Sequence, residues 1–321
     1  MSDYPLLAFL HSQQTAQTYL QNSYQKLKIE NPELKGFENS NPFMYYLDHG
    51  LQFYQIGKET PLLAKPVLLF YGMTHLLKAC LLTKRPEYPE STALLSHGVT
   101  TRKRKKKNYT FLEDEVKIQK TGLFPYFAEH LYQHQNIPFE KIRMEDLFSL
   151  IPEMSSIFSF QRETSLIPVG SLNSNVLTFP NSILDSFHVT EKAFINKIKL
   201  YLPEIDDMDI DQHSIQLKLT KSINKTHGLF FIHMENNKIY FPKVRELFSP
   251  ISEVMVHYLL LYNLSMICRY ETEWWGELLA TKFDLDYPLI VHFLSITSKK
   301  IPLILESELM AIFNEKGQGH D

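Results

Sequence analysis

Two long apolar segments constrain this chain more than any other feature of its sequence. Residues 66–82 contain no acidic residue and only His75 and Lys78 as basic ones, and residues 254–268 contain no Asp, Glu, Lys or Arg. A helix that crosses a bilayer needs about 20 consecutive, predominantly apolar residues. Both segments are shorter than that, so we predict two buried core helices and no membrane attachment.

Composition favours a helical, cytoplasmic protein. The chain has 22 Phe and 17 Tyr but only 11 Gly, a balance that suits helix packing better than a turn-rich barrel. Its net charge of −3 excludes a globally basic nucleic-acid binder but leaves room for a local basic patch. Cys80 and Cys268 both lie in apolar stretches, which favours reduced, buried thiols. The first ten residues lack the basic start and small-residue cleavage site of a signal peptide.

Helical periodicity covers most of the first hundred residues. Residues 1–30 are predicted to form a helix, followed by two loops where Asn-Pro occurs, at residues 30–33 and 39–42. A second helix is predicted over 42–55. A third should start near Pro66, because proline suits the first helical turn, and run to about Lys84. This bundle is expected to bury Tyr71, Leu76 and Leu81.

Strand patterns appear in the middle of the chain. Residues 115–122 alternate and end in glycine, and helical patterning returns at 126–135 and 144–150. Residues 214–220 alternate cleanly, and residues 229–241 read as a hairpin about Asn236-Asn237, since asparagine tolerates the left-handed conformation of a tight turn. We predict a small antiparallel β insertion within about 155–245.

The helical signal returns after the insertion. Ser249 is predicted as the N-cap of a helix that ends near Arg269, followed by helices over 273–281 and 288–297. The predicted fold is therefore mainly α with a small antiparallel β insertion. Its expected parts are a helical region over 1–150 with an exposed basic loop at 100–109, an α+β insertion over 151–248, C-terminal helices over 249–312 that pack back on the core, and a frayed tail over 313–321.

The chain carries no complete catalytic or cofactor motif. It has no G-x-G-x-x-G, G-K-[ST], H-E-x-x-H, C-x-x-C or G-x-S-x-G sequence. We therefore assign no catalytic residue, no cofactor and no metal ligand, and favour a binding role over an enzymatic one.

One face of the third helix is a candidate binding surface. Tyr71, His75 and Lys78 stand at i, i+4 and i+7, so they lie on the same side of a helix. A phenol, an imidazole and an amine together can bind a ligand or a phosphate. The alternative is that His75 is a core histidine whose hydrogen bonds are satisfied by its neighbours.

A second candidate lies in residues 265–276, the densest cluster of functional side chains in the sequence. Arg269 can fork onto a carboxylate or phosphate, and Glu271 and Trp275 stand close by in the chain. The structural alternative is that Arg269 pairs with Glu273 one turn later, while the tryptophan rings fill a helix junction.

A third candidate is an uninterrupted run of six cations. This basic run consists of Arg102, Lys103, Arg104, Lys105, Lys106 and Lys107. Self-repulsion predicts an exposed loop. It could neutralise the phosphates of RNA or bind an acidic partner, or it could serve only solubility.

Several motifs resemble known families. Residues 69–82, with Ser96-His97-Gly98 after them, resemble HEPN-type helical domains, which makes His97 a further candidate site residue. Three more stretches occur in the order typical of the bacterial YaaC-like family: residues 122–125, residues 146–154, and residues 265–271 together with 275–279. This resemblance covers about residues 10–310.

The resemblance implies a bacterial, cytoplasmic protein with a HEPN-like helical region over residues 1–150. Genes of the family commonly adjoin that of IMP dehydrogenase, which suggests a non-catalytic regulatory or interaction protein linked to that enzyme or to purine nucleotides. HEPN-type domains often pair, so a homodimer through the N-terminal helices is expected. The alternative is an RNA-binding protein or ribonuclease. HEPN ribonucleases place a histidine four to six residues after an arginine. Here the next histidine after Arg85 is His97, and Arg102 follows His97 instead of preceding it. This departure argues against ribonuclease activity.

Overall fold

A computed structural model describes residues 7, 9–102, 109–160, 163–223 and 228–314, and the side chains as far as residue 311. Its helices are α1 (Gln13–Lys26), α2 (Pro32–Glu59), α3 (Lys65–Lys84), α4 (Leu123–Tyr132), α5 (Met144–Phe148), α6 (Ser155–Phe158), α7 (Ser182–Phe187), α8 (Glu191–Ile198), α9 (Glu253–Tyr270), α10 (Thr272–Thr281) and α11 (Asp286–Asn314). Its strands are β1 (Val99–Thr101), β2 (Glu115–Ile118), β3 (Lys141–Arg143), β4 (Leu166–Ser171), β5 (Val176–Pro180), β6 (Ile205–Ile210), β7 (Ser214–Leu219), β8 (Phe231–His233) and β9 (Lys238–Pro242). The mainly helical fold with small antiparallel sheets is confirmed.

The chain forms two compact units. The first, which we call the helical unit, comprises Met1–Tyr109, Val116–Gln135 and His257–Asp321. The second, the mixed unit, comprises Thr110–Glu115 and Asn136–Val256.

Helix α2 is longer than predicted because the second Asn-Pro cluster does not break it. Asn31 takes a left-handed conformation, so the first loop is correct, but Pro42 lies inside the helix. An internal proline removes one hydrogen bond and costs about 3 kcal/mol. Burial of Phe43 and Leu47 just after it offsets that loss. Asn39 also anchors the segment, since its amide donates to the carbonyl of Pro86 at 2.9 Å.

Helix α3 is the central element of the helical unit and packs against both α2 and α11. Leu76 and Leu81 are buried as predicted, but Tyr71 remains partly exposed. Tyr71 lies at the edge, where its ring contacts Phe53, Phe70 and Arg269. Cys80 is buried as predicted, with its Sγ 3.9 Å from the carbonyl oxygen of Leu305, whereas Cys268 is only partly buried. Within the described residues, α3 and residues 286–311 of α11 are long and apolar enough to cross a membrane, a test that buried core helices also pass.

The mixed unit contains the predicted β insertion. Among its described residues, two three-stranded antiparallel sheets have the orders β4-β9-β8 and β5-β7-β6. The hairpin β8–β9 turns at Asn237, whose φ is 55°, as the asparagine pair predicted. Short helices α7 and α8 supply Phe187 and Phe194 to a core that also contains Phe179, Phe230 and Phe241.

The C-terminal helices differ from prediction at their ends. Helix α9 is capped by Ser252, whose hydroxyl accepts from the Met255 amide at 3.3 Å, rather than by Ser249. The predicted helix 288–297 is the first part of the much longer α11, which continues through Pro302. Buried Ile301, Leu305 and Leu309 hold that second half against the core. Residues 315–321, most of the predicted tail, lie outside the described part of the chain.

Candidate functional site

The helical unit brings two of the predicted sites together. Arg269, at the end of α9, donates to the hydroxyl of Tyr71 on α3 at 3.4 Å. Its guanidinium carbon also lies 5.9 Å from the centre of the Tyr71 ring. A second hydrogen bond, from Arg269 Nε to the carbonyl of Ser265 at 3.0 Å, fixes the direction of the side chain. Residues 198 positions apart in the chain therefore form one local group.

Backbone hydrogen bonds hold His97 beside this group. The carbonyl of His97 accepts from the Phe124 amide at 3.1 Å and from the Tyr258 hydroxyl at 3.0 Å. Both Gly98 and Gly122 have positive φ, at 74° and 123°. A Cβ on Gly122 would lie 2.4 Å from the Gly98 Cα, so neither backbone tolerates a side chain at this crossing. The glycines in these two motifs thus position the histidine.

The His97 ring lies among aromatic rings. Its centroid is 5.0 Å from that of Phe70, 5.7 Å from Tyr262 and 6.1 Å from Tyr71, all in edge-on arrangements. These contacts hold the imidazole among aromatic rings.

His75 has a comparable environment one turn further along α3 from Tyr71. Phe53 of α2 stacks on it at 5.7 Å with the ring planes 12° apart, and His49 meets it edge-on at 5.4 Å. Its Nδ1 is buried and has no hydrogen-bond partner among the described residues. The predicted alternative of a fully satisfied core histidine therefore does not describe His75.

Lys78 completes the group. Its ammonium lies 5.6 Å from the centre of the Tyr46 ring. Burial lowers the pKa of Lys78 below its usual range, and no carboxylate of the described residues forms an ion pair with it. Arg269 likewise has no carboxylate partner in the described part of the chain. Two cations thus stand here without neutralising charges.

The charge of Lys78 acts on both histidines. Burial, then the charge of Lys78, then His49 lower the pKa of His75 to about 4. For His97 the causes are burial, Arg269 and Lys78, in that order, and its pKa is also about 4. Both imidazoles are therefore neutral at pH 7, and Lys78 is close enough to influence each of them.

We call Tyr71, His75, Lys78, His97 and Arg269 the cationic cluster. All five side chains are partly buried and partly exposed, so solvent reaches them. A positive, aromatic-walled and solvent-accessible cluster is suited to an anion that carries a planar group. The described residues contain no group of three or more His, Cys, Asp or Glu side chains arranged to hold a metal ion.

The remaining candidates lie outside the cluster. Trp275 is buried and donates its Nε1 hydrogen to the carbonyl of Leu63 at 3.1 Å, which is a structural role. Glu271 lies between α9 and α10 with its side chain half-exposed. The Arg269–Glu273 ion pair of the structural alternative does not form, since Arg269 turns to Ser265 and Tyr71 and Glu273 is exposed. Arg102 is exposed, and Lys103, Arg104, Lys105, Lys106 and Lys107 lie outside the described residues.

Sequence reasoning missed the contribution of α2. Tyr46, His49 and Phe53 all contact His75, and their i, i+3, i+7 spacing places them on one face of that helix. That spacing could have predicted that the three residues share one face of the helix. It could not have predicted which other helix packs against that face.

A family model described as YaaC-like Protein matches residues 8–309. No curated protein and no solved structure matches the chain.

Proposed function

The chain belongs to the YaaC-like family, and from that premise and the cationic cluster we propose that it is a non-catalytic regulatory protein of the bacterial cytoplasm that binds a purine nucleotide. In this proposal Arg269 and Lys78 bind phosphate oxygens, and the neighbouring rings contact the base. The HEPN-like character of residues 1–150, IMP dehydrogenase as a protein partner, and a homodimer through the N-terminal helices are further parts of the proposal.

The observation that carries the proposal is a pair of cations, Lys78 and Arg269, for which the described part of the chain supplies no carboxylate partner. A half-buried charge without a partner is unfavourable in the free protein, and an incoming anion removes that penalty. Arginine offers two parallel donors to a phosphate, and lysine adds a compact charge with three donors. The Tyr71 hydroxyl, held by Arg269 at 3.4 Å, is a further donor at the same place.

The aromatic side chains favour a nucleotide over inorganic phosphate. Tyr71 and Phe53 lie 6.4 Å apart by ring centroid, and both are partly exposed. Tyr270 is 65% exposed and lies 5.3 Å from the Arg269 guanidinium carbon. Stacking of a base on such rings contributes about 1–3 kcal/mol per base.

The test is nucleotide titration by calorimetry with two arginine variants. Wild type should bind at least one of GTP, GMP, IMP and ATP. The Arg269→Lys protein should fold normally but bind at least tenfold more weakly, because lysine keeps the charge and loses the planar fork. Arg143→Lys is the matched control, since Arg143 is an exposed arginine that already pairs with Asp146. Equal affinities for wild type and Arg269→Lys, or no binding of any of the four nucleotides, would refute the proposal.

One observation favours a second candidate, RNA binding with cleavage. The two neutral imidazoles lie within reach of the charge of Lys78, and one neutral histidine can accept a proton during phosphodiester cleavage. Under this alternative the basic run holds the RNA backbone. Purified protein would be incubated with mixed RNA, beside His97→Ala and the exposed-histidine control His213→Ala. If wild type and His213→Ala cleave the RNA and His97→Ala does not, this alternative replaces our proposal. If wild type leaves the RNA uncleaved, the alternative is eliminated.

A further inference from the structure

A separate cavity of about 480 Å³ in the helical unit is lined by three lysines. Lys58 comes from the end of α2, Lys65 from the start of α3, and Lys299 from α11. The Lys65 ammonium donates to the carbonyl of Lys58 at 3.0 Å, which fixes its position at the wall. We call this cavity the lysine pocket.

The lining of the lysine pocket contains no acidic side chain. Within the described part of the chain, neither Lys65 nor Lys299 forms an ion pair with a carboxylate. The lining therefore has a positive charge in a chain whose net charge is −3. The ammonium groups of Lys65 and Lys299 repel each other across the cavity, and an anion placed between them replaces that repulsion with attraction.

The other part of the lining is apolar. Leu294 is buried, and Leu62 and Val291 are partly buried beside it. Ser295 is exposed at the pocket, and the Ser298 hydroxyl is already engaged, since it donates to the Ser295 carbonyl at 2.9 Å. The pocket thus combines cations with a short hydrophobic wall.

A cavity of the mixed unit offers a comparison, because its basic side chains are paired with acidic ones. Its volume is about 380 Å³, and its lining includes Lys141 and Arg143. Lys141 pairs with Glu115 at 3.5 Å and Arg143 with Asp146 at 3.0 Å, and both acids belong to the same lining. An anion gains little there because the positive charges are already paired.

We propose that the lysine pocket binds a soluble organic phosphate with a short apolar portion. The lysines hold the phosphate as compact charges with rotatable donors, and Leu62, Val291 and Leu294 cover the apolar portion. The volume lies within the roughly 300–1,000 Å³ typical of small-ligand sites. The inference stands apart from the nucleotide proposal, because no residue of the cationic cluster lines this cavity.

The experiment compares methyl phosphate with butyl phosphate by calorimetric titration of the full chain. Wild type should bind the butyl ester more tightly, by about fourfold for each additional methylene that becomes buried. Ser295→Asp places a carboxylate at the exposed rim and should weaken binding at least tenfold. Lys299→Gln should weaken it severalfold, while Lys120→Gln, at an exposed lysine outside the pocket, should have no effect.

Two further arms distinguish the lysine pocket from the cationic cluster and from attachment to a lipid surface. Arg269→Lys should bind butyl phosphate as wild type does, whatever its effect on nucleotides. Vesicles of phosphatidylcholine containing phosphatidic acid should not sediment the protein, since the pocket is too small for a long acyl chain. Any of four results would overturn the proposal. They are equal affinity for the two esters, full binding by Ser295→Asp, loss of butyl phosphate binding in Arg269→Lys, and vesicle binding that Ser295→Asp abolishes.

Discussion

The core of the mixed unit and the cationic cluster of the helical unit differ in the charged side chains that they contain. The core is built from aliphatic side chains and phenylalanine rings, and Phe179, Phe194 and Phe241 among them are fully buried. Several charges of the mixed unit lie at its surface in ion pairs, among them Arg143, which donates hydrogen bonds of 3.1 and 3.0 Å to Asp146.

The cationic cluster differs from these paired surface charges of the mixed unit. Lys78 and Arg269 have no carboxylate partners among the described residues, and the buried Nδ1 of His75 has no hydrogen-bond partner there. Each of these features lowers stability. Stabilising substitutions are easy to find in natural proteins and their recurrent cost is lost function, so destabilising groups of this kind are expected to persist where they serve binding. On our proposal, the contrast is between a core that maintains the fold and a cluster that binds a ligand.

The largest expected effect is on the mixed unit. Phe241→Ala removes a fully buried ring that lies 5.3 Å from Phe179 and 5.2 Å from Phe230. We expect the free energy of unfolding to fall by about 3–5 kcal/mol, as for other large aromatic truncations. Urea denaturation measures it, with Phe160→Ala as control because that ring is 89% exposed. Equal losses in the two variants would show that this core does not carry the stability of the unit.

The second effect concerns the glycine crossing that positions His97. Gly122→Ala forces alanine to adopt a φ of 123° and brings its Cβ within 2.4 Å of Gly98. The strained conformation and the overlap together should lower the free energy of unfolding by about 2–4 kcal/mol. Gly276→Ala is the control, because a Cβ there meets nothing within 4 Å and the site is helical. That control should be neutral or stabilising by up to about 1 kcal/mol. Denaturation curves that rank the two variants the other way would contradict this view of the crossing.

Much of the fold follows from local sequence, and the exceptions have one cause. Helix α3, the hairpin at Asn237 and the β insertion are predictable because periodicity and turn chemistry act over short distances. Local rules place helix boundaries at or near Pro42 and Pro302, yet both prolines lie inside helices. Packing of the residues that follow them outweighs the local penalty, and packing partners cannot be read from a single sequence.

The cluster is predictable in its members but not in its assembly. Helical spacing singles out Tyr71, His75 and Lys78, and residue chemistry singles out Arg269, but no pattern connects positions 71 and 269. His97 is identified only through its resemblance to a known motif. The Arg269–Glu273 pair illustrates why local spacing is not sufficient. Arg269 could reach Glu273 one turn away, but it donates instead to Tyr71 of α3.

The third prediction uses pH to test whether the cluster histidines are strained. The pKa of His75 and of His97 is about 4 in the folded protein, below the ordinary value of 6.5. Between these values the unfolded chain binds more protons, so the free energy of unfolding is highest above pH 6.5 and falls as the pH decreases towards 4. Allowing for solvent screening, we expect a loss of about 1 kcal/mol per histidine between pH 7 and pH 5.

Chemical denaturation at several pH values measures this loss. The double variant His75→Gln, His97→Gln should show a flatter dependence, because glutamine does not titrate. His188→Gln, at an exposed histidine of the mixed unit, should leave the slope unchanged. If the free energy of unfolding of the double variant depends on pH as it does in wild type, groups other than His75 and His97 cause the acid sensitivity, and the two histidines are not strained.

The smallest expected effect is also the most discriminating, because it predicts opposite signs in the two regions. Arg143→Met breaks an exposed, paired contact and should lower the free energy of unfolding by less than about 1 kcal/mol. Lys78→Met removes a half-buried charge without a carboxylate partner and keeps an apolar stem of similar length. It should raise the free energy of unfolding by up to about 1 kcal/mol, reduced by the lost contact with the Tyr46 ring. Added nucleotide should stabilise wild type more than Lys78→Met, which separates a binding residue from a merely unfavourable one. If Lys78→Met is destabilising both with and without nucleotide, the lysine serves the fold, and the difference between the two regions disappears at the residue where it should be clearest.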